Sequence, residues 1–244
     1  MDLKRAESVL KTARDLLDRG HVSAAIGKFR YTISIANLEG PGREAYDQLL
    51  ALHETAMSRL VEATNLYGRG EYAKAMDLAL EVRTNYANLL VRLRVASQYP
   101  DPARLADGLV TQIRQDRHAQ PALRERSAAQ AYMKVRRSWL KAQDDPTLYL
   151  DVSRGLKSIA RRFADTPTGE KCQQQVSDLL ADEKIRSLIE REEQRRFIAS
   201  ALESSDQYQR FGLIEEAEAE RAKLTDHFPG KSLEELSEMA RKQL

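Results

Sequence analysis

The sequence predicts an all-α protein assembled from helical hairpins, on three observations. Ala, Leu, Arg and Glu outnumber the β-branched residues, with only 11 Gly and 7 Pro in 244 positions, and those four residue types lose little side-chain freedom in a helix. Apolar residues recur at the 3.6-residue period nearly throughout. Breaks built from an aromatic followed by a proline recur at a nearly constant interval. Hydrophobic residues make up 42% and charged residues 31%, which is enough for a core and a well-solvated surface.

The first helix carries Leu3, Ala6, Leu10, Ala13 and Leu17 on one stripe and stops at Gly20, a residue free to adopt the positive φ of a helix end. A second follows, with Val22, Ile26, Phe29, Ile33 and Ala36 on one face. A connection this short predicts antiparallel neighbours that bury both stripes together. The arrangement recurs. Ala63, Leu66 and Tyr67 lead to Gly70 and then Tyr72, Ala75, Met76 and Ala79, and Tyr208 leads to Gly212 and then Ile214, Ala217 and Leu224, with Pro229 closing the unit. Residues 42–68 and 71–98 read as helices of about 27 residues. Residues 168–209 read as one long helix or two.

Proline stands at expected helix starts in Asp101-Pro102, Gln120-Pro121 and Asp145-Pro146, where its missing N–H has no partner to lose. Tyr99-Pro100, Phe163 to Pro167 and Phe228-Pro229 form similar breaks whose aromatics lie 64 and 65 residues apart. Ser232-Leu233-Glu234-Glu235 has the pattern of a capping box. These breaks divide one continuous domain, 1–244, into modules at about 1–40, 41–99, 100–163 and 164–228, with a C-terminal capping helix over 231–244.

Gly20/Ala25, Gly70/Ala75 and Gly212/Ala217 share one five-residue interval. With Phe29 in the second helix and Pro229 at the end of a unit, the pattern resembles the tetratricopeptide (TPR) family. In that motif a turn glycine precedes an alanine at a close helix approach, and a proline closes the repeat. The 50 residues from Gly20 to Gly70 depart from the regular 34-residue repeat, so the chain is similar to irregular TPR-like bacterial scaffold proteins. The resemblance covers about half the chain. It implies a right-handed α-solenoid of stacked antiparallel hairpins that binds another protein or peptide and catalyses nothing.

Reactive groups do not converge. His21, His53, His118 and His227 are scattered, no metal-ligand spacing occurs, and Gly68-Arg69-Gly70 reads as a hairpin turn rather than a phosphate loop. Ser8-Val9-Leu10-Lys11 has the Ser-x-x-Lys spacing of a serine acylase but lies in an amphipathic helix without companion motifs. Cys172 is the only cysteine, so an internal disulfide is excluded, and it reads as a packed, inert thiol. The expectation is a non-enzyme without metal or cofactor. With neither a signal-like apolar stretch nor an 18-residue apolar run, it is also expected to be cytoplasmic and without a membrane span.

Net charge is +2, but residues 92–141 hold 11 basic and 4 acidic side chains, a local excess of seven. On the helix at 121–141, Ala128, Tyr132, Val135 and Trp139 share one face, which reads Trp139 as a core residue ahead of a ligand platform. Arg126, Lys134, Arg137 and Lys141 gather on the opposite face within about an 80° arc. That arc is either an ordinary solvated face or a docking ridge for an acidic partner. The leading reading is a protein-interaction scaffold or adaptor. The alternatives are a nucleic-acid-associated helical protein using the basic block, or an architectural subunit whose partner is itself. The charged run Glu190 to Arg196 reads as a solvated segment between packed blocks, or as an exposed helix that bridges two modules or pairs with another chain.

Overall fold

A computed structural model of the chain describes residues 2–90 and 99–241. Helical residues make up 84% of these, and no strand occurs among them. No helix among the described residues is long and apolar enough to cross a membrane. The chain divides into two compact units, residues 1–123 and 124–244.

The first unit contains α1 (Leu3–Asp18), α2 (Val22–Ala36), α3 (Pro41–Gly68), α4 (Tyr72–Asn85), α5 (Pro102–Gln115) and the start of α6 (Gln120–Ala142). From α1 to α5, each helix packs on the next in sequence. Small residues dominate the shared faces: Ala13, Ala25, Ala45, Ala56, Ala63, Ala75 and Ala79 are all fully buried, interleaved with Phe29, Leu49, Val82 and Ile113. Alanine at these positions lets helices approach closely, while the larger side chains fill the space between them. At the end of α5, Asp116 accepts hydrogen bonds from the backbone N–H of His118 at 2.8 Å and from the hydroxyl of Tyr67 at 2.9 Å. The turn leading into α6 is thereby tied to α3.

The second unit contains the remainder of α6, α7 (Tyr149–Arg162), α8 (Pro167–Ala181), α9 (Glu183–Arg210), α10 (Ile214–His227) and α11 (Leu233–Arg241). α7 packs on α8 and α9, and α9 packs along its later part on α10 and α11. The stretch at 168–209 is two helices, because the side chain of Asp182 accepts from the N–H groups of Lys184 and Ile185 and starts α9 afresh. Ser232 and Glu235 satisfy each other's backbone N–H groups at 2.8 and 3.2 Å, which is the capping box expected at the start of α11.

Three helix junctions share one backbone conformation. The residues ending α1, α3 and α9 (Arg19, Arg69 and Phe211) all sit near φ −85° and ψ 0°. The next residues, Gly20, Gly70 and Gly212, take φ of 78°, 78° and 74°. In each, the glycine N–H bonds to the carbonyl three residues back. The following N–H reaches the carbonyl five residues back: His21 to Leu16, Glu71 to Leu66, and Leu213 to Tyr208. This double closure satisfies the last carbonyls of the helix, and its left-handed residue suits glycine. Five residues after each glycine, Ala25 and Ala75 are fully buried and Ala217 is 3% exposed.

One expected boundary moves. The helix expected over 71–98 ends at Asn85, and its 91–98 part lies outside the described residues. Tyr86, Leu89 and Leu90 are buried and prolong the apolar stripe, but Asn88 adopts φ 59°, which no α-helix accommodates.

Candidate interaction surface

α6 is 23 residues long yet fully buries only Ala128 and Ala142. Helices of ordinary composition are held mainly by tertiary packing, and a few specific contacts orient α6. Tyr132, Val135 and Trp139 are half-buried against the core of the second unit, so Trp139 is part of the packing, as its spacing predicts. Gly155 on α7 opens room for Val135. Gln175 donates to the Tyr132 hydroxyl at 3.0 Å. Arg124 donates to the Asp165 carboxylate at 2.7 Å and to the Arg162 carbonyl at 2.8 Å. Glu125 accepts from the N–H and the hydroxyl of Thr168.

With that face turned inward, the opposite face meets solvent. Lys134, Arg137 and Lys141 are exposed, and Arg136 beside them is exposed as well. None of these four forms an ion pair with a carboxylate among the described residues, unlike Arg124, Arg154 and Arg196 on or near the same core. Arg126, the fourth member of the expected stripe, is half-buried and engaged in an interaction of its own. Of the wider basic block, residues 92–98 lie outside the described residues. Met133 and Leu140 are 48% and 60% exposed, and at 100° per residue both fall within about 40° of Arg126, beside the cations. The charge pattern of this helix does not single out these two apolar side chains, but the same helical wheel places them there.

His53, His227 and Cys172 have structural surroundings. His53 is buried and bonds through Nε2 to the Pro100 carbonyl at 2.9 Å, with its ring edge-on to Tyr99. His227 packs on Phe197 and Phe228. Cys172 is fully buried, and desolvation pushes its thiol pKa up, away from the thiolate a nucleophile needs. No group of three or more His, Cys, Asp or Glu positioned to hold a metal occurs among the described residues. Gly68-Arg69-Gly70 is the end of α3 and its turn.

The charged run 190–196 differs from expectation. Glu192 is 1% exposed and occupies a core position between Ile189 and Ile198. Arg195 binds it in a fork at 2.6 and 2.7 Å, and Arg196 adds a third bond at 2.7 Å while gripping Asp151 of α7 with its other two nitrogens. Those hydrogen bonds hold the Glu192 carboxyl below the usual carboxylate range, and the bond from Arg196 does the same for Asp151. The spacing of Glu192 from Arg195 and Arg196, three and four residues, was the available signal.

No known protein family, curated protein or solved structure matches the chain.

Proposed function

We propose that the chain is a non-catalytic protein-interaction scaffold of TPR-like type, built as a solenoid of antiparallel hairpins, that docks an acidic protein segment on the outer face of α6. The observation that carries this reading is the set Lys134, Arg137 and Lys141, without carboxylate partners among the described residues, beside the exposed Met133 and Leu140. Cations that no carboxylate neutralises set up a field that draws in anions. Exposed apolar side chains next to them give a bound segment something to desolvate, as the centre of a protein interface requires. The three matching junctions and the small-residue faces support the hairpin reading, since repeated helix–turn–helix units stack only when their faces come close.

The apolar neighbours favour a protein over a nucleic acid. Phosphate binding gains nothing from Met133 and Leu140, and single-stranded nucleic acid is usually held on exposed aromatics, whereas the aromatics of α6, Tyr132 and Trp139, face the core.

The test is affinity capture from native lysate by the parent chain and by the variant Lys134→Glu/Arg137→Glu/Lys141→Glu, with captured proteins identified by mass spectrometry. The expected result is a protein held by the parent at low salt, released by added salt, and lost from the variant. Oligonucleotides retained in its place would favour the nucleic-acid alternative.

A further inference from the structure

The junction between α9 and α10 has the same backbone as the other two but a different surface. The position that ends the helix is Arg19 after α1 and Arg69 after α3, whereas after α9 it is Phe211, 80% exposed. Two residues on, the positions held by His21 and Glu71 become Leu213, and the next residue is Ile214. These are 43% and 53% exposed. Leu213 has a local role, since the residue after the turn glycine commonly leans on the preceding helix. Phe211 has none: an arginine completes the identical turn twice elsewhere in the chain. The junction therefore presents an apolar knob that its own fold does not require.

The charge around this knob is acidic. From Ile198 to Lys223 six carboxylates, Glu203, Asp206, Glu215, Glu216, Glu218 and Glu220, outnumber three basic residues, Arg210, Arg221 and Lys223, and of the six Glu220 is ion-paired to Lys223. Glu215 and Glu216 form the first turn of α10, and both are exposed, as is Glu218. The outer face of α6 has the opposite character, with exposed apolar side chains beside Lys134, Arg137 and Lys141, which have no carboxylate partner among the described residues. Each copy of the chain thus carries both halves of a matched pair, an acidic apolar knob and a basic apolar ridge.

We infer that the partner of the α6 face is a second copy of this chain, whose α9–α10 junction seats Phe211 and Ile214 against Met133 and Leu140 and brings Glu215, Glu216 and Glu218 to Lys134, Arg137 and Lys141. This inference rests on the α6 docking face proposed above and names its occupant. Because the two surfaces differ, the contact is heterologous, and head-to-tail repetition gives rings or open chains. Burial of the exposed apolar side chains supplies affinity, and the opposed charges set register and speed association.

The experiment is analytical ultracentrifugation of the full chain and three variants. The parent should associate with rising concentration at low salt and dissociate as salt screens the charges. The basic-face variant Lys134→Glu/Arg137→Glu/Lys141→Glu and the acidic-face variant Glu215→Lys/Glu216→Lys/Glu218→Lys should each be monomeric alone and associate when mixed in equal amounts, since the mixture restores opposite charges at every contact. Phe211→Arg recreates a junction that the chain already folds twice, so it should keep the parent's circular dichroism and melting temperature while weakening association by roughly tenfold or more. A parent that stays monomeric overturns the inference, and capture of an acidic partner on α6 remains a separate measurement. An associating parent whose affinity is unchanged by Phe211→Arg, or a folded charge-swapped pair that does not associate on mixing, also overturns it.

Discussion

Gly155 on α7 lies so close to Val135 on α6 that a Cβ added at Gly155 would stand 2.7 Å from Val135 Cγ2. Valine has little χ1 freedom with which to move aside, so this contact fixes the rotation of α6 and leaves Lys134, Arg137 and Lys141 to solvent. Gly155→Leu should cost about 1–3 kcal/mol of stability through overpacking. Part of that loss should return in Gly155→Leu/Val135→Ala, where the obstructing methyls are gone. Thermal unfolding of the parent, the two single variants and the double variant forms a cycle, and strictly additive effects would show that the two residues do not meet.

The buried alanines after the three matching turns give a second test. Ala25, Ala75 and Ala217 each leave room for the neighbouring helix, and leucine at any of them should destabilise by about 1–3 kcal/mol. If Ala75→Leu and Ala217→Leu both melt like the parent, the equivalence of these positions is lost.

Much of the fold was legible because it is local. Gly20, Gly70 and Gly212 mark helix ends through a conformation that glycine adopts at little cost, and Pro102, Pro121 and Pro146 mark starts through a missing donor. These signals need no knowledge of what packs where. The α6 wheel likewise separates Tyr132, Val135 and Trp139 from Lys134, Arg137 and Lys141. What the sequence hid depends on contacts distant along the chain. The end of α4 at Asn85 was masked by the buried Tyr86, Leu89 and Leu90, which continue a helical stripe. The burial of Glu192 depends on Asp151, some forty residues earlier, meeting Arg196. Phe211 stands out only beside Arg19 and Arg69, once the three junctions are seen to share one conformation.

The Glu192 cluster predicts a pH dependence. Arg195 and Arg196 lower the folded pKa of Glu192, and Arg196 lowers that of Asp151. A depressed carboxylate contributes stability that is fully present above its unfolded pKa, about 4.3 for Glu and 3.9 for Asp. The contribution is lost as pH falls through the folded value. Glu192→Gln should therefore destabilise the chain by about 1–3 kcal/mol at neutral pH, since both arginines are about one-third exposed and can regain water. The gap between parent and variant should narrow steadily below about pH 4. A gap that stays constant down to acid unfolding would show that the charge of Glu192 contributes nothing.

The outer face of α6 carries the functional claim. Substitutions on a surface away from special features change stability by less than about 0.5 kcal/mol, so Lys134→Glu/Arg137→Glu/Lys141→Glu should fold like the parent. The most direct measurement is the association rate of the parent and of this variant with the captured partner, or of the parent with itself and the variant with itself, by surface plasmon resonance across a salt series. The parent's rate should fall as salt rises, and the folded variant should bind only weakly at every salt concentration. Equal rates and affinities for parent and variant would contradict this claim and return the face of α6 to an ordinary solvated helix surface.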